Sequence, residues 1–160
     1  MDWILFGVFF LASAGAATTG AIFPPGPLYE DLEKPPWTPP NWAFPLVWTL
    51  LYIASSYAAA RVALVEGNAY AMGFWAMQIA YNTLWSPVYF GLRRLKASLL
   101  VMALLWVAVV GTMITFWQLD TLAGLLFGPY TIWVTVAGAL NLSVWRRNPG
   151  LQPLNIGAAA

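Results

Sequence analysis

Five stretches of this chain, at 3–23, 44–65, 69–92, 97–119 and 123–145, are each about as long as a bilayer is thick and carry almost no charge. A helix advances about 1.5 Å per residue, so about 20 apolar residues cross a hydrocarbon core about 30 Å thick. A soluble globule of this length would need polar faces alternating with apolar ones. The expected fold is therefore an all-α membrane protein. It is a bundle of five transmembrane helices forming one domain over 1–147, with 148–160 as an extramembrane tail. Composition agrees: 61% of the residues are hydrophobic and 8% charged, against about a quarter charged in soluble domains.

The first stretch contains Ala12-Ser13-Ala14, which resembles a signal-peptide cleavage site. A signal peptide opens on positive charge, whereas this chain opens on Asp2, so the stretch is kept as a span. Cys and His are both absent. That excludes disulfides, thiol nucleophiles, Cys/His zinc sites, His acid/base chemistry and His or Cys ligation of haem iron, and no metal site is expected. A net charge of +1 leaves no basic footprint for nucleic acid.

Between the first two spans, Pro24 to Pro40 holds seven of the twelve prolines together with Glu30, Asp31, Glu33 and Lys34. Proline at this density forbids a continuous helix. Tyr29, Leu32 and Trp37 give the segment apolar side chains to dock, so a long ordered loop or lid is expected. Lys34, Arg93, Arg94, Lys96, Arg146 and Arg147 fall on the side of this loop, and Arg61 alone on the other. Cytoplasmic loops carry the Lys/Arg excess. The loop and the C-terminus are therefore expected inside and the N-terminus outside, with inner and outer membranes both left open.

Ten tryptophans stand in 160 residues. An interfacial belt accounts for Trp3, Trp106, Trp117 and Trp145. In the third span, Gln78, Asn82, Trp85 and Tyr89 share one helical face. Such a face either hydrogen-bonds to neighbouring helices or lines a cavity. Pro87 frees a backbone carbonyl near it, which suits a cavity. Trp48, Tyr52, Ser55 and Ala59 align on the second span, and Trp133, Ala137, Leu140 and Val144 on the fifth, with Asn141 beside them. Each stripe sets a large ring near one end and smaller residues deeper, leaving room for a flat apolar ligand or for ordinary helix packing. Ala12, Ala16 and Gly20, and Ala69 and Gly73, are spaced for close helix approach within the bundle or between two copies, with a homodimer through the third span preferred.

A family resemblance rests on ordered motifs along nearly the whole chain. These are Tyr29-Glu30-Asp31-Leu32-Glu33-Lys34-Pro35-Pro36-Trp37-Thr38-Pro39-Pro40, Pro45-Leu46-Val47-Trp48-Thr49-Leu50-Leu51-Tyr52, Asn82-Thr83-Leu84-Trp85-Ser86-Pro87, Pro129-Tyr130-Thr131-Ile132-Trp133, and Leu140-Asn141 ahead of Trp145-Arg146. Together they resemble the TspO/MBR family, the tryptophan-rich sensory proteins related to the mitochondrial translocator protein. The resemblance implies a five-helix bundle, often a homodimer, with a pocket closed by the first loop. It implies as ligands porphyrins such as protoporphyrin IX and, in many members, sterols and benzodiazepine-like drugs. Carried over by position, the pocket would include Tyr29, Trp37, Trp48, Asn82, Trp85, Trp133, Ala137 and Leu140. The family's sterol pattern needs an aromatic residue where this chain has Leu142, which weakens that expectation.

Four functions compete. A tetrapyrrole receptor or sensor would stack indoles on the macrocycle and offer Lys34 or nearby amides to its carboxylates. Light-dependent porphyrin breakdown, reported for some relatives, would draw on Trp48 and Trp133. Conventional coupled transport lacks ionisable residues mid-span and an internal repeat, leaving a passive route for porphyrin or sterol. A purely structural subunit would have no pocket.

Overall fold

A computed structural model describes residues 1–154, and among them there is no strand. Helix α1 runs Trp3–Ile22, a short α2 Pro27–Asp31, α3 Ala43–Val62, α4 Ala69–Ser86, α5 Leu95–Leu119, α6 Thr121–Leu126 and α7 Gly128–Arg147. Asp2 begins α1 as its N-cap, accepting hydrogen bonds from the Ile4 and Leu5 N–H groups at 2.9 and 3.0 Å. Its carboxylate satisfies two backbone donors that a helix start otherwise leaves unpaired.

The end of the third span departs from a plain helix. Pro87 has no N–H to return to the preceding turn, and α4 widens into one π-helical turn over Pro87–Gly91, closed by the Leu92 N–H on the Pro87 carbonyl at 2.8 Å. The fifth span is two helices rather than one. The break falls at Phe127, because Pro129 suits the first turn of a new helix better than the interior of an old one.

Asp120 organises the corner between α5 and α6. Its Oδ1 accepts from the Ala123 N–H at 2.9 Å, and its Oδ2 meets Arg61 Nε at 2.8 Å and Nη2 at 2.7 Å. Burial alone would raise the Asp120 carboxyl, but the hydrogen bonds from Arg61 and the Ala123 N–H hold it below the ordinary carboxylate range. The lone basic residue of that membrane side thus ties the end of α3 to the start of the last crossing.

Four units, α1, α3, α5 and α6 with α7, are long and apolar enough to cross a membrane. Helix α4 is of similar length but carries Gln78 and Asn82, both buried inside the bundle. It completes the five crossings by hiding its polar groups from lipid. The bundle packs α1 on α3 and α4, α4 on α5, and α5 on α7, while α3 and α7 make few close backbone approaches. Gly111 permits the tight α4–α5 contact, since a Cβ there would lie 2.5 Å from the Phe74 ring. Leu51, Trp75, Leu105, Phe116 and Tyr130 belong to the main core, and Trp3, Ile4, Leu11, Leu50 and Ile132 point outward as lipid-facing side chains.

The chain after α7 folds back onto the end of the bundle as far as residue 154. Leu151 packs against a second apolar cluster containing Tyr29, Leu32, Tyr89 and Val144, and the Leu154 N–H bonds to the Leu92 carbonyl at 3.0 Å. The rest of the expected tail, 155–160, lies outside the described residues.

Candidate functional site

A cavity of about 620 Å³ lies inside the bundle, lined from α1, the loop, α3, α4, α5 and α7, within the range of small-molecule sites. Aromatic rings stand at several points of its wall. Trp48 and Tyr52 come from α3, Trp85, Tyr89 and Phe90 from α4 and its π turn, and Tyr29 from the loop. Trp48 lies nearly parallel to Tyr52, with ring centroids 5.5 Å apart and planes at 29°, and meets Tyr130 edge-on at 5.7 Å. Trp85 stacks on Tyr89 at 4.9 Å. On the opposite wall α1 presents Ala16, Ala17, Gly20 and Ala21. Small side chains there turn what would be a helix contact into volume.

The polar face of α4 does two jobs. Asn82 Oδ1 accepts from the Tyr52 hydroxyl at 2.7 Å, its Nδ2 donates to the Tyr130 hydroxyl at 3.1 Å, and Tyr130 donates onward to Gln78 Oε1 at 2.9 Å. This network joins α3, α4 and α7 beneath the cavity. Asn82 also borders the cavity, whereas Gln78 does not. Nearby, Asn141 borders the cavity and donates to Ser98 Oγ at 2.9 Å. The Trp85 indole N–H is buried without a partner in a residue that lines the cavity. Unpartnered buried donors are rare, and the Gln78 amide nitrogen and the Trp133 indole N–H are two more.

The loop closes one end. Tyr29 is buried and packs edge-on against Tyr89 at 6.3 Å and Phe90 at 5.5 Å, and burial pushes its phenol up from the ordinary range. Lys34 Nζ donates to the Glu30 carbonyl at 3.0 Å and lies 4.5 Å over the Tyr29 ring. A latch fixes the loop to the end of α7. Asn148 Nδ2 donates to the Glu33 carbonyl at 3.0 Å and its Oδ1 accepts from the Glu33 N–H at 3.0 Å. The same amide nitrogen also reaches the Val144 carbonyl at 2.8 Å. Replacing Asn148 by Ala is expected to free the loop from α7. Hydrogen exchange at the Glu33 amide should then rise by about tenfold, with the exchange of α5 unchanged.

Of the residues singled out by sequence, Tyr29, Trp48, Asn82, Trp85, Ala137 and Leu140 line this cavity together. Trp37 stands apart, half exposed on the loop, and Trp133 packs on Phe44 at 5.6 Å without bordering the cavity. Sequence reasoning missed Tyr130, although it lies on the same helical face as Trp133 and Ala137. It also missed Asn148, for which an amide directly after the last helical residue was the one available signal. Among the described residues no group of His, Cys, Asp or Glu converges as a metal site.

Fold and cavity together define a multi-pass membrane protein with an aromatic-walled chamber between its helices and a structured loop over one end. The chain belongs to the TspO/MBR family, whose family model matches residues 4–146. It is 54% identical to "Protein CrtK" of Rhodobacter capsulatus over 98% of this chain and 100% of that one. It is 51% identical to a "Tryptophan-rich sensory protein" of Cereibacter sphaeroides, covering 92% and 94% of the two chains. The human "Translocator protein" is 34% identical over 76% of this chain and 75% of its own.

Proposed function

We propose that this protein is a membrane receptor or sensor that binds a tetrapyrrole, a porphyrin such as protoporphyrin IX, in the chamber between α1, α3, α4, α5 and α7. The single observation that carries the proposal is the chamber itself: about 620 Å³, mainly apolar, with aromatic rings from α3, α4 and the loop on its wall. A planar macrocycle stacks on Trp48 and Trp85. Lys34 is already engaged with Glu30 and Tyr29, so its meeting the ligand's carboxylates requires the loop to shift. A sensory role draws support from the name of the Cereibacter relative.

The same proposal sets the loop and C-terminus on the cytoplasmic side, where Lys34, Arg93, Arg94, Lys96, Arg146 and Arg147 gather. It pairs two copies through α4, where a Cβ added at Gly73 would meet nothing within 4 Å. Sterols and benzodiazepine-like compounds are further candidate occupants of the chamber. Titrating the detergent-solubilised protein with protoporphyrin IX should give saturable quenching of indole fluorescence at one porphyrin per chain. Quenching that rises linearly without saturation, as for partition into micelles, would remove the proposal.

A further inference from the structure

Where the π turn of α4 gives way to α5, a second cleft of about 620 Å³ opens beside the end of α7. Its rim is cationic, formed by Arg93, Arg94 and Lys96, and its apolar wall includes Leu100, Trp145 and Leu151. The chain reverses sharply here. Arg93 takes the left-handed conformation at φ 55°, a rare choice for a residue with a Cβ, and the turn delivers the three charges to one end of α5. Among the described residues the one ion pair joins Arg61 to Asp120, so the rim cations have no carboxylate partner.

Leu100 follows Lys96 by one turn on the same face of α5 and is 64% exposed, toward lipid. A cationic rim thus stands at the membrane edge over an apolar wall that continues into the bilayer. Basic residues gather at a cytoplasmic edge for topology alone, and Arg146 and Arg147 are such residues, exposed at the same end of the bundle but outside the cleft. The cleft sets Arg93, Arg94 and Lys96 apart from them. We infer that it binds the phosphate group of an anionic membrane phospholipid, with the guanidinium and ammonium groups on the phosphate oxygens. Leu100, Trp145 and Leu151 receive the first methylenes of the acyl chains.

The test offers the purified protein, in a neutral detergent, phosphatidylglycerol or phosphatidylcholine of equal chain length and counts retained lipid by native mass spectrometry. A preference of about tenfold for phosphatidylglycerol is expected, falling to about twofold in Arg94→Gln/Lys96→Gln. Arg146→Gln/Arg147→Gln, which removes equal charge outside the cleft, should keep the preference. Thermal transitions report that both variants fold; if the first does not, Lys96→Gln alone should lower the preference about threefold. An equal fall in both double variants, or no preference in the parent protein, overturns the assignment. Inorganic phosphate binding as tightly as the lipid overturns the lipid in favour of a soluble phosphate, and phosphate that fails to compete supports the lipid.

Discussion

Trp48→Ala is expected to weaken protoporphyrin IX binding by about thirtyfold, whereas Trp133→Ala should change it by less than about threefold. An indole face that a ligand covers contributes about 2 kcal/mol through area removed from water and ring stacking, which is the thirtyfold figure. Trp48 lies on the chamber wall and Trp133 does not; the latter packs on the main core and on Phe44, which does line the chamber. Trp48→Phe separates two roles for the ring. Recovery to within about threefold of the parent would mark a flat apolar wall, and failure to recover would mark a need for indole itself. Because Trp48 also packs on Tyr52 and Tyr130, the thermal midpoint of each variant is compared first. Equal losses in Trp48→Ala and Trp133→Ala, at equal stability, would place the ligand outside this chamber.

The two tryptophans show why the fold was easier to read than the site. Length and hydropathy mark a crossing whatever its neighbours are, so α1, α3 and α5 stand close to where the apolar runs predict them. Spacing also put Asn82, Trp85 and Tyr89 on one face, and that face does turn inward. Which helix then stands opposite is a tertiary fact. Trp48, Trp133 and Trp37 are chemically the same residue, yet one walls the chamber, one packs beside it and one lies half exposed. The small residues of α1 carry the same ambiguity: they signal close approach, and around Ala16 and Gly20 they leave space. Pro87 announced an interruption, but the choice between a kink and a π turn depends on how α5 packs below it. Asn148 was hidden because a latch made by one amide leaves no periodic trace.

Asn82→Leu should be the most destabilising polar substitution in the bundle, by about 2 to 3 kcal/mol. Leucine keeps the volume but leaves the buried Tyr52 hydroxyl without its acceptor and removes the donor to Tyr130. An orphaned buried hydroxyl costs about 1 to 3 kcal/mol, and each lost interhelical hydrogen bond in a membrane protein about 0.6 to 2 kcal/mol. Tyr130 keeps its bond to Gln78, so its share is the smaller one. Adding Tyr52→Phe removes the orphan rather than the bond, and the double variant should recover about 1 kcal/mol relative to Asn82→Leu alone. Unfolding in mixed detergent micelles provides the free energies. If Tyr52→Phe instead adds its full single-variant cost, the two side chains are not coupled and the network does not hold α3 to α4. The same series separates structure from ligand binding at Asn82. A porphyrin affinity that recovers with stability in the double variant assigns Asn82 to holding the chamber's shape, and one that stays low assigns it to the ligand.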